Sequence, residues 1–283
     1  MKPVQPHAAL AEERQAAPVS ARKHPERRHR ALAWRMADEG VACRSPSTAY
    51  RILKEADLVC PGERRAKRRR AAEAKATRPN RRWVTGLLQL PVGDGTYAFV
   101  RFTDAYSRHI VHHALLLGMG GIAARVAAQA AIATPPRGPD GLPLAKPGRQ
   151  SDNGSSFIAG GLLLALKGHG LGHHRLRPHR PEGKGVIERS SRAPREALAG
   201  EALTNLLAAE RIRARRVKWY NAARLPSALG HLPPVVVYRG NPEARGAERR
   251  RKLAQARRRR RERNLSLRQG TLPFAAGETV ANQ

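Results

Sequence analysis

The chain is short of acidic residues, aromatics and cysteine, and it has no long apolar run. Against 54 Lys and Arg stand only 22 Asp and Glu, which leaves a formal charge of +32 over 283 residues. No ordinary cytosolic enzyme needs that excess. It points to a polyanionic partner, most simply nucleic acid, more than to a merely solvated surface. Aromatic residues make up 4%. The chain therefore lacks the interleaved stacking residues of single-strand binders, and a general basic RNA-binding role would explain the charge alone. The two cysteines, Cys43 and Cys60, form no CxxC pair. That excludes a disulfide framework and suits a reducing compartment. A zinc site would have to recruit His24 and His29, without the tight second pair that structural zinc sites use. The opening residues have no apolar signal core, and no run reaches the length of a membrane span. Hydrophobic residues are nevertheless 41% of the chain, enough for a globular core in one or two domains.

Composition divides the chain. Residues 1–23 are Ala, Pro and charge, and are expected to be disordered. Residues 24–60 read as two helices. The first carries Leu32, Trp34 and Met36 and stops at Gly40. The second has Ser45 as N-cap, Pro46 at the first helical position, and Ala49, Ile52, Leu53 and Ala56 on one face. Arg51 and Lys54 fall on other faces. The outline fits a helix-turn-helix, in which they would meet DNA, and equally a plain helical hairpin. Residues 61–76 are a basic linker. Three strands follow within 83–90, 97–104 and 109–117, with turn chemistry around Asp94. If the first two pair through that turn, residue 86 faces residue 101. A helix at 119–134, a short strand into 150–152, a helix at 156–170 and a strand at 171–177 complete the pattern. The tail, 241–283, includes Arg257, Arg258, Arg259, Arg260 and Arg261 in succession. It has no sufficient apolar face to bury, so an arm lying along phosphates, disordered until DNA arrives, is expected.

Two stretches carry possible chemistry. QSDNGSSF holds Asp152, and RPHRPEGKGVIERSSRAPR holds Glu188, with thirty-five residues between the two acids. Carboxylates on separate rigid elements suit Mg²⁺ or Mn²⁺, and two such ions can clamp the attacking and leaving oxygens of a phosphodiester. SDNGSSF and GVIERS at this separation closely resemble the integrase-like catalytic core of bacterial insertion-sequence transposases. The resemblance is to the OrfB-type second subunit, within the Asp-Asp-Glu superfamily that includes retroviral integrases. It runs over about residues 77–240 and takes in WYN, SALG and LPP near the end of that core. It implies an α/β, ribonuclease H-like mixed sheet with flanking helices. It also implies Asp152 and Glu188 as metal ligands and catalytic acids, with Asn153 and Gly154 as the turn that aims Asp152. DNA transposition or integration by metal-dependent cleavage and strand transfer would be the activity. Element ends and target DNA would be the partners. A homo-oligomer, an upstream-frame DNA-binding subunit and a bacterial cytoplasmic, nucleoid-associated setting are further expectations of the resemblance. Arg189 and Arg192, beside Glu188, would contact DNA or form surface salt bridges.

One departure limits the catalytic claim. The family's first acid lies three residues after the Trp that opens its strand. Here Trp83 opens RRWVTGLLQL, and the third residue on is Gly86. Glycine offers no side-chain ligand. Asp104 is the neighbour that could substitute, although the plainer reading is that it caps the strand turn. Lys184, Pro194 and Pro226 also depart from the family's pattern. Two readings follow: a transposase with impaired strand transfer, or a DNA-binding protein without catalysis. An unrelated two-carboxylate hydrolase would leave the charge unexplained.

Overall fold

A computed structural model describes residues 5–59, 76–117, 126, 130, 148–151, 173–175 and 203–269, without the side chains of Leu87, Gln269 and residues 148–151 and 173–175. In chain order its elements are helices α1 (Ala11–Lys23), α2 (His29–Asp38) and α3 (Pro46–Glu55), strands β1 (Arg82–Val92), β2 (Gly95–Asp104), β3 (Ile110–Leu117), β4 (Gly148–Ser151) and β5 (His173–Arg175), then helices α4 (Leu206–Ala223), α5 (Pro234–Arg239) and α6 (Pro242–Gln269). The chain divides into two compact units. One joins residues 1–64 to 243–283, and the other is 65–242.

In the first unit, α2 and α3 form where the sequence places them. Ser45 caps α3, its Oγ accepting from Thr48 N at 3.3 Å, and Pro46 opens the helix. Leu32, Met36, Ala49, Ile52 and Leu53 are buried together with Ala17 of α1. Helix α1 departs from the disorder expected of residues 1–23. Its Ala17 joins the core, and its Glu13 is buried in an ion pair. Tertiary contacts thus stabilise a segment whose composition alone reads as unfolded.

The tail also departs from expectation. Residues 242–269 are a 28-residue helix seated on α1 and α2 by polar groups. Arg249 grips Asp38 with two parallel bonds, Nε to Oδ1 at 2.8 Å and Nη2 to Oδ2 at 2.6 Å. Lys252 Nζ donates to the carbonyls of Ala37 and Asp38 at the C-terminal end of α2, where a cation also meets the helix dipole. Arg260 Nη1 donates to Glu13 Oε1 at 2.7 Å and to the Cys43 carbonyl at 3.0 Å. Asn264 Nδ2 donates to the carbonyls of Gln5, Pro6 and Ala8. Residues 249, 252, 260 and 264 recur at helical spacing, so α6 has a packing stripe, but one written in charge and amide rather than hydrocarbon.

The second unit is built on a five-stranded sheet in the order β3-β2-β1-β4-β5. β1, β2 and β3 are an antiparallel meander, while β4 runs parallel to β1 and β5 parallel to β4. Leu88, Leu90, Val92 and Phe99 pack with Ala209, Val217 and Tyr220 of α4. Asn221 fixes α4 to the start of β3, its Oδ1 accepting from Ile110 N at 2.9 Å and its Nδ2 donating to Ile110 O at 3.0 Å. Tyr220 is buried in this core, whereas its neighbour Trp219 is exposed. Of the expected helix at 119–134, residues 126 and 130 are described and are helical, and the expected helix at 156–170 lies outside the described residues.

Candidate functional site

β1 is the central strand, and Gly86 stands in its middle, in register with Arg101 of β2. A glycine there weakens a strand and commonly marks a close approach by another group. The approaching group is the Arg101 guanidinium. A Cβ at position 86 would lie 2.6 Å from Nη2, 3.1 Å from Cζ and 3.2 Å from Nε. Arg101 is 1% exposed. Directly paired residues of an antiparallel ladder share a face. Arg101 therefore shares the face of Leu88 and Phe99, which α4 covers, and its β3 partner is His113. His113 Nδ1 meets Arg213 Nη1 of α4. Burial, and then the charge of Arg213, holds the His113 pKa down at about 4, so that His113 is neutral near pH 7.

Asp104 is not a stand-in for the missing acid. It pairs with Trp83, three positions before Gly86, and strand alternation puts it on the opposite face. Both of its oxygens are engaged. Oδ1 accepts from Asn80 N at 2.8 Å, and Oδ2 from Ser107 N at 2.7 Å and Ser107 Oγ at 2.6 Å. Burial raises its pKa, partly offset by these bonds. Asn80 extends the network, its Oδ1 accepting from Trp83 Nε1 at 3.0 Å and from Tyr238 Oη at 2.8 Å. His109 stacks on Tyr238 with ring centroids 4.4 Å apart. Asp104 is thus the cap that ties the β2–β3 turn to the start of β1. Asp104→Ala would strand two buried backbone donors and a hydroxyl, and is expected to lower stability by about 2–4 kcal/mol in urea unfolding. A stability within about 0.5 kcal/mol of the parent's would contradict that role.

The parallel register of β1 with β4 pairs Arg82, Trp83 and Val84 with Gly148, Arg149 and Gln150. Beyond Val84, in the direction in which β4 ends at Ser151, the β1 residues are Thr85 and Gly86. Asp152, Glu188, Arg189 and Arg192 lie outside the described residues, as do Asn153, Gly154, Lys184 and Pro194. Among the described residues, no group of three or more His, Cys, Asp or Glu could hold a metal ion. The described part of the site does not fit a divalent cation. Position 86 supplies no side-chain oxygen, and the Arg101 guanidinium lies over it.

The candidate DNA contacts separate by exposure. Arg51 and Lys54 are exposed on α3, opposite the buried Ala49, Ile52 and Leu53. Arg257, Arg258 and Arg261 are exposed on α6, with Arg258 paired to Glu262. Arg259 is exposed and paired with Glu12. Arg260 is buried on Glu13 and cannot face solvent as its neighbours do. Among the described residues, no helix is long and apolar enough to cross a membrane.

Residues 169–234 match the family described as integrase core domain, a stretch that includes Glu188 and begins after Asp152. No curated protein matches. Among solved structures, a chain of the simian T-cell lymphotropic virus intasome in complex with PP2A regulatory subunit B56 gamma aligns with a TM-score of 0.50 at 14% identity, over 79% of this chain and 74% of that one. The fold is ribonuclease H-like. The HTLV-2 integrase catalytic core domain in complex with magnesium aligns with a TM-score of 0.44 at 13% identity, over 58% of this chain and 99% of that one. The catalytic core domain of BIV integrase aligns with a TM-score of 0.43 at 15% identity, over 59% and 99%. Sequence reasoning missed Arg101, Asn80 and Asn221. Arg101 was within reach of it, because the turn at Asp94 already sets residue 101 opposite residue 86.

Proposed function

We propose that the chain is a DNA-binding protein of the integrase and transposase type, acting in DNA transposition or integration, with strand cleavage and transfer impaired. The integrase core match at 169–234 carries this reading. The formal charge of +32 and the exposed cations of α3 and α6 support the choice of partner. Gly86 beneath the Arg101 guanidinium supports the impairment. Asp152 and Glu188 remain the proposed acids of the site, with Mg²⁺ or Mn²⁺ as the ion such acids would take in an intact relative. Two DNA ends must meet in transposition, so a dimer or larger assembly is part of the proposal.

A competition experiment tests the partner. Labelled duplex DNA bound to the full chain is challenged with unlabelled duplex and with single-stranded RNA of equal charge. Duplex is expected to displace the label at lower concentration. Equal displacement by RNA would favour a general basic RNA-binding role and contradict the proposal.

A further inference from the structure

Helix α4 sorts its residues into two sides. Ala209, Val217 and Tyr220 pack against Leu88, Leu90, Val92 and Phe99 of the sheet. Arg213 is also turned inward, with Glu210, the one acid of the helix, 3.9 Å from it. Leu207, Arg211, Ala214, Arg215, Lys218 and Ala222 are exposed. Steps of three, four and seven residues put these six on one side, opposite the buried set. Arg211 and Lys218 stand two turns apart, about 10 Å along the axis. Arg215 lies between them and has contacts of its own. The other residues between and beyond them on that side, Ala214 and Ala222, are small, so the long cationic side chains project past their neighbours. The helix is a fixed platform. Asn205 caps its start, Oδ1 accepting from Ala208 N at 2.9 Å, and the Asn221 amide ties its end to Ile110 with two bonds.

We propose that the outward side of α4 is a duplex-DNA contact belonging to the second unit, made to phosphates by Arg211 and Lys218 and additional to the exposed cations of α3 and α6. Charge complementarity selects this occupant. A two-fold contact sets the same face of two copies against itself. On this side of α4 that would bring cations against cations, with no acid to offset them. Duplex DNA instead presents a negative charge about every 1.7 Å along its axis, so a rigid row of cations finds phosphates whatever the sequence. Such contacts fix the position of a protein on the duplex and carry no base information. The inference deepens the integrase-type reading and rests on it for the choice of DNA.

The test is duplex binding by the full chain at several salt concentrations, followed by anisotropy. The parent is compared with Arg211→Gln/Lys218→Gln and with Arg22→Gln/Lys23→Gln, which removes the same charge from exposed positions of α1. The α4 variant is expected to flatten the slope of log affinity against log salt by about 2 and to weaken binding about 10–100-fold near 0.1 M salt. The α1 variant should keep the parent's slope within about 0.5. Arg211→Gln alone, expected to flatten the slope by about 1, serves should circular dichroism show the double variant unfolded. A folded α4 variant with the parent's slope overturns the proposal, and so does an equal loss in both double variants, which would mean that overall charge alone acts. Sedimentation of the same preparations covers the remaining occupant. An oligomer lost in the α4 variant at an unchanged slope would assign this side to a second copy and overturn the proposal. No duplex binding by the parent would contradict the integrase-type reading itself, whereas binding with an unchanged slope contradicts only the role of α4.

Discussion

Affinity for duplex DNA is expected to fall by about 10³–10⁵-fold between 50 and 200 mM salt, the loss typical of a protein with about 6–10 phosphate contacts. Most of the contacts follow from the first unit. Arg51 and Lys54 are exposed on α3, and Arg250, Arg251, Arg257, Arg258 and Arg261 are exposed on α6, away from its packing stripe. If each neutralises one phosphate, their share of the slope of log affinity against log salt is about −6. Phosphate contacts carry no base information, so Arg257→Ala/Arg261→Ala should flatten the slope by about 2 and weaken binding alike on unrelated duplexes. Anisotropy titrations at several salt concentrations measure both. A slope near zero would remove the electrostatic basis of the proposed function.

Arg260→Ala is expected to act on stability instead, costing about 3–5 kcal/mol, because it leaves the buried Glu13 carboxylate without its shorter partner. Arg44 stays 3.5 Å from the other Glu13 oxygen, which places the effect toward the lower end of that range. The Cys43 carbonyl also loses a donor. The loss should appear as earlier unfolding of the helical unit in urea, followed by far-ultraviolet circular dichroism. Arg257→Ala, three residues away on the exposed face, should leave the midpoint within about 0.5 kcal/mol of the parent. Equal midpoints for the two variants would mean that α6 is not seated through Arg260. The five consecutive arginines are therefore not one patch. Helical spacing turns Arg260 inward onto Glu13, while Arg257 and Arg261 stay in solvent.

The sheet was legible because its signals are local. Alternation along 83–104 and the Gly93–Asp94–Gly95 turn fix two strands, and the turn fixes the pairing of Gly86 with Arg101. The Ser45–Pro46 start of α3 was legible for the same reason. Helix α6 was not, and α1 only poorly, because the contacts between them join residues more than two hundred positions apart and use Arg–carboxylate pairs, while α1 adds little more than Ala17 to the apolar core. A hydrophobic pattern cannot report such an interface, so polar segments that fold on one another read as disorder. The site was legible only in part. Gly86 announced the missing acid, but nothing in residue type alone says that Arg101 lies across it. Asp104 showed the reverse fault. Its proximity in sequence suggested rescue, yet strand alternation and three hydrogen bonds commit it to the turn.

The most direct measurement is a strand-nicking assay on labelled duplex DNA with Mg²⁺ or Mn²⁺. It compares the parent, Gly86→Asp and Gly86→Asp/Asp152→Asn. The parent is expected to bind the duplex and leave it uncut. The Gly86→Asp variant is the one expected to nick, and Asp152→Asn should abolish that cut. Metal-dependent nicking by the parent, lost on Asp152→Asn, would contradict the account and show that the natural chain is an intact strand transferase despite Gly86.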